Sequence, residues 1–162
     1  MVFHIFKKPK LEVYAPFEGE IIPLEEVPDP VFSQKMMGKG IAMIPKNGQI
    51  FAPVEGKIIQ VAITKHAVGI LANDGSEILI HIGLETVNLK GEGFHVKVQE
   101  GERVTVGQLL MEVDLEYIQT HAKSIITPIV ITNSVDSGKK YVATDEKRGL
   151  VGKTVILTAS GK

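Results

Sequence analysis

APVEGKIIQV, residues 52–61, repeats a pattern first met in APFEGEIIPL, residues 15–24. The copies share Ala-Pro-x-Glu-Gly-x-Ile-Ile and begin at Ala15 and Ala52. Proline has no amide hydrogen to give to a β-ladder and so sits at a strand's edge or start, whereas glycine permits a tight turn or a close backbone approach. A short β-branched run follows each glycine. The pattern predicts a strand opening behind a Pro–Gly turn, used twice. With no third copy, it reads as internal duplication within one domain rather than as a repeat array.

Working outward, similar runs recur between turn signals: GKGIAMIP (38–45), AVGILAN (67–73), SEILIHIG (76–83), RVTVGQLLMEVD (103–114), IITPIVITN (125–133) and KTVILTA (153–159). Sixteen glycines and eight prolines punctuate them. Many short strands at this spacing predict an all-β fold, an antiparallel β-sandwich or barrel with internal duplication and only short helical turns. Two places read as helical. VFSQKMMGKG (31–40) supports one turn, and DLEYIQTHAK (114–123) supports about two, with Asp114 as N-cap. A flexible leader over residues 1–10 precedes a single domain over 11–162.

Composition narrows the function. A chain of 162 residues is one ordinary domain, and its 18 Lys+Arg nearly cancel its 19 Asp+Glu, leaving no basic footprint for nucleic acid. No apolar run approaches the roughly 20 residues that span a bilayer. MVFHIFKKPK (1–10) lacks the apolar core and cleavage site of a signal peptide, although its alternating apolar and basic residues could rest weakly on an anionic surface. There is no cysteine, which excludes disulfides and thiolate catalysis and suits the cytoplasm.

Of the five histidines, His81 is the most conspicuous, placed among Ile78, Leu79, Ile80, Ile82 and Leu84. A charged imidazolium is costly to bury, so the ring is either a hydrogen-bonded core residue or one set deliberately at an apolar surface. Period-two geometry puts Leu79, His81 and Gly83 on one face, opposite Ile80 and Ile82. In the preceding segment it assigns Ile59, Val61 and Ile63 to the core, with Gln60, Ala62 and Thr64 opposite and His66 following their parity. Both histidines then lie on one side of neighbouring antiparallel strands, although two unrelated histidines would leave the same spacing.

TKHAVGI (64–70), EILIHIGLETVNLKGEGF (77–94) and GERVTVGQLL (101–110), preceded by EEVPDPVFSQKMMGKGIAMIP (25–45) and APVEGKI (52–58), closely resemble the glucose-family IIA component of the bacterial phosphoenolpyruvate-dependent sugar phosphotransferase system. The similarity runs from about Leu11 to Thr158. It implies an antiparallel β-sandwich and a cytoplasmic phosphocarrier, a phosphotransferase component working through a phosphohistidine. By that resemblance His81 accepts the phosphoryl group from the phosphohistidine of HPr, becoming a tele-phosphohistidine. It then donates the group to a cysteine of a IIB domain of a sugar permease. His66 supports the transferring group, and Thr64 holds the His66 ring. Val31, Phe32, Met36, Met37, Ile41, Val68 and Leu79 match the family's docking face, with Glu85 and Asp29 as nearby acids. His4, His95 and His121 match no site block and read as structural or exposed. Membrane contact comes only through the permease, and the choice of sugar is not legible in this chain.

The chemistry suits these residues independently. Neutral imidazole offers a nucleophilic nitrogen near neutral pH, and in-line attack on phosphorus needs positioned donors around the equatorial oxygens. No cofactor is required and no metal site is expected. A zinc ion could bridge His66 and His81 without being essential.

Other readings fit less well. A zinc peptidase of similar duplicated architecture would show a paired His-x-His, but LIHIG (79–83) has one histidine. GLVGKTVIL (149–157) resembles a phosphate-binding loop, yet Lys147 stands where its first glycine belongs and the segment reads as strand. VQEGERVTVGQLLMEVD (98–114) is similar to the biotinyl and lipoyl carriers, but the Lys35–Met36 pair falls in a helical turn rather than at a hairpin tip. A regulatory module that binds other proteins according to its phosphorylation state is the serious alternative role.

Overall fold

Each Pro–Gly copy opens a strand, as its sequence predicts. The computed structural model describes residues 11–161, so the leader assigned to 1–10 lies outside the described residues. Over them run fourteen strands: β1 (Leu11–Tyr14), β2 (Gly19–Pro23), β3 (Lys39–Pro45), β4 (Gln49–Phe51), β5 (Gly56–Val61), β6 (Ala67–Ala72), β7 (Glu77–His81), β8 (Phe94–Val96), β9 (Arg103–Val104), β10 (Leu109–Val113), β11 (Thr127–Ile131), β12 (Lys140–Ala143), β13 (Arg148–Gly149) and β14 (Val155–Ser160). Two short helices join them, α1 (Pro30–Ser33) and α2 (Leu115–His121), the second capped by Asp114, whose carboxylate accepts from the Tyr117 amide. No helix among the described residues is long and apolar enough to cross a membrane.

The strands form an antiparallel β-sandwich. One eight-stranded sheet runs β13-β2-β3-β11-β7-β6-β5-β9, and two three-stranded sheets, β1-β14-β12 and β4-β10-β8, complete the fold. The order of the large sheet is symmetric about its centre if the copies are matched, with β2 answering β5, β3 answering β6, and β11 answering β7. The small sheets match likewise, β1 with β4, β14 with β10 and β12 with β8. Even the irregularities agree, since the register slips past Ile156 in one and past Leu110 in the other.

Reciprocal hydrogen bonds join the two copies. The Tyr14 amide donates to the Pro53 carbonyl at 2.9 Å, and the Phe51 amide to the Pro16 carbonyl at 2.7 Å. Such an exchange is what a local two-fold axis produces. The duplication also accounts for the loop-like GLVGKTVIL segment, of which only Gly149, the end of β13, and Val155 onward are strand. Arg148 and Gly149 pair with Glu20 and Gly19, as Arg103 and Val104 pair with Lys57 and Gly56. The segment is the structural twin of the 102–108 turn.

The glycine of each copy is fixed by close approach. A Cβ on Gly19 would lie 2.1 Å from the Ile44 carbonyl oxygen, and one on Gly56 would lie 2.2 Å from that of Leu71. Gly19→Ala and Gly56→Ala should each cost about 2–3 kcal/mol, because backbone must shift to admit the methyl. Denaturant titration of both variants checks this, and a negligible loss in either contradicts the packing.

The large sheet has two covered faces. Ile21, Ile41, Met43, Ile58, Val68, Ile70, Ile78, Ile80 and Ile129 meet Val13, Ile50, Leu110, Met111, Ile156 and Leu157 of the small sheets in the main core. On the opposite face, Ala42, Ala67, Leu79 and Val130 form a smaller cluster under Leu24, Val27, Phe32 and Leu84. β7 is therefore apolar on both sides, and the parity of its odd residues sends Leu79 and His81 to the smaller cluster.

The assignment of Ile59 and Ile63 to the core is corrected, whereas Val61 packs partly buried against the core as expected. Ile58 occupies the core, Ile59 is 38% exposed and Ile63 is 99% exposed. The register slips between Ile58 and Gln60, so the core side passes from Ile58 to Val61 and Ile59 is left out, while Ile63 lies in the turn beyond β5.

Candidate functional site

β6 and β7 form a hairpin, and its open end carries both histidines. Ala67 pairs with His81, and the Ile82 amide donates to the His66 carbonyl at 2.7 Å. The imidazole rings meet edge to face with centroids 4.8 Å apart. His66 is buried and His81 half-buried. Thr64 also reaches the site, its hydroxyl 2.7 Å from His66 Nδ1.

His81 has a defined tautomer. Its Nδ1 lies 2.9 Å from the Gly83 carbonyl oxygen, which can only accept, so Nδ1 carries the proton and Nε2 keeps a free lone pair. The Gly83 peptide is held hard. Its φ is +75°, and a Cβ there would lie 2.6 Å from Thr86 Cγ2 and 2.8 Å from the Ser124 carbonyl oxygen. Buried Thr86 donates to the Ile82 carbonyl at 2.6 Å, and the Leu84 amide donates to Ser124 at 2.9 Å. These contacts explain why glycine follows Ile82, and they set the imidazole through its neighbour's carbonyl.

Three loops close around the rings. Asp29 caps α1, accepting from the Val31 amide at 3.0 Å, with Pro30 at the first helical position, where its missing amide costs nothing. The helix lays Phe32 against His81, ring centroids 4.9 Å apart. Beyond His81 lies a shallow depression of about 250 Å³ lined by Asp29, Val31, Phe32, Met37, Glu85 and Val87. A cavity of about 330 Å³ opens elsewhere, between Leu24 and Lys147, away from both histidines. Among the described residues, the four non-glycine positions with positive φ are Lys35, Lys65, Glu85 and Lys90, all in loops flanking this site. Such conformations persist where surrounding structure over-determines them.

Burial sets the titration. It pushes His66 down to about 4, with the nearby His81 charge adding to the effect. Burial also lowers His81, while the Gly83 hydrogen bond and the Asp29 carboxylate pull the other way. Both rings are therefore neutral at pH 7. Above the ordinary 6.5 neither folded nor unfolded chain holds the proton; as pH falls from there toward 4, the unfolded chain takes up protons that folded His66 refuses, so stability drops, and the loss levels off below that. Thermal denaturation should fall more steeply between pH 7 and pH 5 in the wild type than in His66→Gln. Parallel curves would contradict the assignment.

The expected docking residues separate on burial. Val31 is 40% exposed and Met36 69% exposed, and Glu85 is exposed, with its carboxylate 3.9 Å from Lys123 Nζ. Phe32 is covered but touches His81, and Met37 is half-buried at the depression. Ile41 and Val68 are corrected: both are fully buried in the main core, because their parity on β3 and β6 faces the small sheets. Leu79 is also corrected, being sealed beneath the smaller cluster. Val87, 50% exposed, joins the rim unanticipated. His95 and His121 are exposed and do not line the depression, His121 stacking on Tyr117, and His4 lies outside the described residues. No group of three or more metal-ligating side chains occurs among the described residues.

Residues 11–137 match the family model described as phosphoenolpyruvate-dependent sugar phosphotransferase system, EIIA 1. The chain belongs to this family. Among its relatives, the glucose-specific EIIA component of Halalkalibacterium halodurans is 52% identical over 139 residues, covering 85% of this chain and 80% of that protein. The glucose-specific EIICBA component of Staphylococcus saprophyticus is 50% identical over 156 residues, covering 96% of this chain but only 23% of that longer protein. The solved glucose permease IIA of Mycoplasma capricolum superposes with a TM-score of 0.85 at 41% identity, covering 94% of this chain and 97% of that one. This EIIA chain is thus a phosphotransferase component of a sugar-uptake system, built on the sandwich that its sequence predicts.

Proposed function

We propose that His81 Nε2 accepts a phosphoryl group from the phosphohistidine of HPr and passes it to a cysteine of a IIB domain, in the glucose branch that the relatives' names indicate. The observation that supports this most is the Gly83 carbonyl on His81 Nδ1, which leaves Nε2 as the nucleophile facing the depression. The donor's P–N bond breaks as the new P–Nε2 bond forms, and no proton need leave the attacking nitrogen. In the second transfer a thiolate displaces Nε2, which departs as neutral imidazole.

His66 is the supporting group. With Thr64 donating to Nδ1, the His66 Nε2–H is free to hydrogen-bond a phosphoryl oxygen. Burial keeps water from the phosphohistidine while the open depression admits a partner. Val31, Met36 and Val87 supply apolar contact, and Asp29 and Glu85 an acidic rim for a basic partner. The reaction uses no cofactor, and a metal between the rings would occupy the nucleophile.

Incubation with phosphoenolpyruvate, enzyme I and HPr tests this, with the acid-labile label expected on His81. An unlabelled protein, or label elsewhere, would overturn it. Thr64→Val should slow donation to a IIB cysteine roughly three- to tenfold, the worth of one hydrogen bond that orients His66. Single-turnover transfer measures that step, and a wild-type rate would remove Thr64 from the site.

A further inference from the structure

We propose that Met36 is a redox-sensitive modification site, whose oxidation by a peroxide weakens partner docking at the His81 depression and leaves the phosphoryl chemistry intact. The inference rests on the docking role given above. The chain has no cysteine, so its thioethers are its most readily oxidised sulfurs. Met43 and Met111 are fully buried, and Met37 packs half-buried against the smaller cluster, whereas Met36 is 69% exposed.

Its position is fixed by backbone. Lys35 turns through the left-handed region at φ +60°, and the Met36 amide then returns to the Val31 carbonyl at 3.1 Å. Val31 lines the depression with Phe32, Met37 and His81, so the Met36 backbone is tied to one lining residue and precedes another, with its thioether side chain exposed. A sulfur lone pair attacks the peroxide and the O–O bond breaks; with hydrogen peroxide one oxygen joins sulfur, the other leaves as water, and the two electrons come from sulfur. The sulfoxide is polar and must shed water to enter an apolar interface, so docking weakens. His81 Nε2 is untouched.

The test treats the full chain with hydrogen peroxide, maps sulfoxides by peptide mass spectrometry, and follows labelling of His81 over a range of phosphorylated HPr concentrations. Each protein is compared with its own untreated sample. Sulfoxide should appear first at Met36, with KM for the donor raised roughly five- to tenfold and kcat unchanged, a change the size of one interface side chain. Methionine sulfoxide reductases should restore KM, and Met36→Leu should show no peroxide-dependent change. The proposal is overturned if another methionine among residues 11–161 oxidises first, if full oxidation of Met36 leaves KM unmoved, or if Met36→Leu loses as much. Absence of labelling in untreated protein is a distinct result, which overturns the phosphocarrier reading and this inference with it.

Discussion

His81→Gln is expected to reduce phosphoryl acceptance to background, at least about 10⁴-fold below wild type, since an amide nitrogen offers no nucleophilic lone pair. Two features make this the largest effect. The His81 Nε2 lone pair is left free by the proton committed to Gly83, and the neighbouring His66 cannot replace it, because with Thr64 donating to its Nδ1 its Nε2 carries the proton and has no free lone pair. The substitution sits at the rim of the smaller cluster, not in the main core, so the fold should survive. Labelling by phosphorylated HPr, with a melting curve as control, measures the outcome. A labelled and folded His81→Gln protein would show that the nucleophile lies elsewhere.

His66→Gln should split the two half-reactions. Acceptance persists, because the nucleophile remains and the donor protein brings groups of its own to the phosphoryl. Donation to the IIB cysteine should slow roughly a hundredfold, about 3 kcal/mol, the usual cost of deleting one donor aimed at a phosphoryl or oxyanion in a shielded site. The ring contact that motivates this is the 4.8 Å edge-to-face pair. Single-turnover assays of each half-reaction separate the outcomes. Transfer at the wild-type rate in both directions would make His66 a bystander.

Strand punctuation carried most of the fold. Runs such as GKGIAMIP and IITPIVITN became β3 and β11 because β-branched residues between turn signals have few other ways to bury themselves. Short strands such as Gln49–Phe51 and Phe94–Val96 were not legible, being three residues whose pairing depends on β10 between them. Parity served β7 well, where no bulge intervenes. On β5 it failed at Ile59 and held at Val61, since nothing in KIIQVAIT marks the extra residue at Ile59.

The site divides the same way. His66, His81 and Thr64 were legible through a long motif, and the geometry brings all three together. The docking face was legible only in part. A motif match fixes position along the chain but not the side of the sheet, so Ile41 and Val68 entered the expectation although they face the main core. The restraint on Gly83 by Thr86 and Ser124 was out of reach, because Ser124 comes from a segment forty residues away whose pairing only the fold reveals.

The central claim is that Nε2 of His81 carries the phosphoryl group while Nδ1 keeps its proton for Gly83. Nitrogen-15 spectroscopy of the wild-type protein, histidine-labelled and phosphorylated through enzyme I and HPr, tests it most directly. The account predicts phosphorus–nitrogen coupling at His81 Nε2 with Nδ1 still protonated. Coupling at His81 Nδ1, or at any nitrogen of His66, would contradict it.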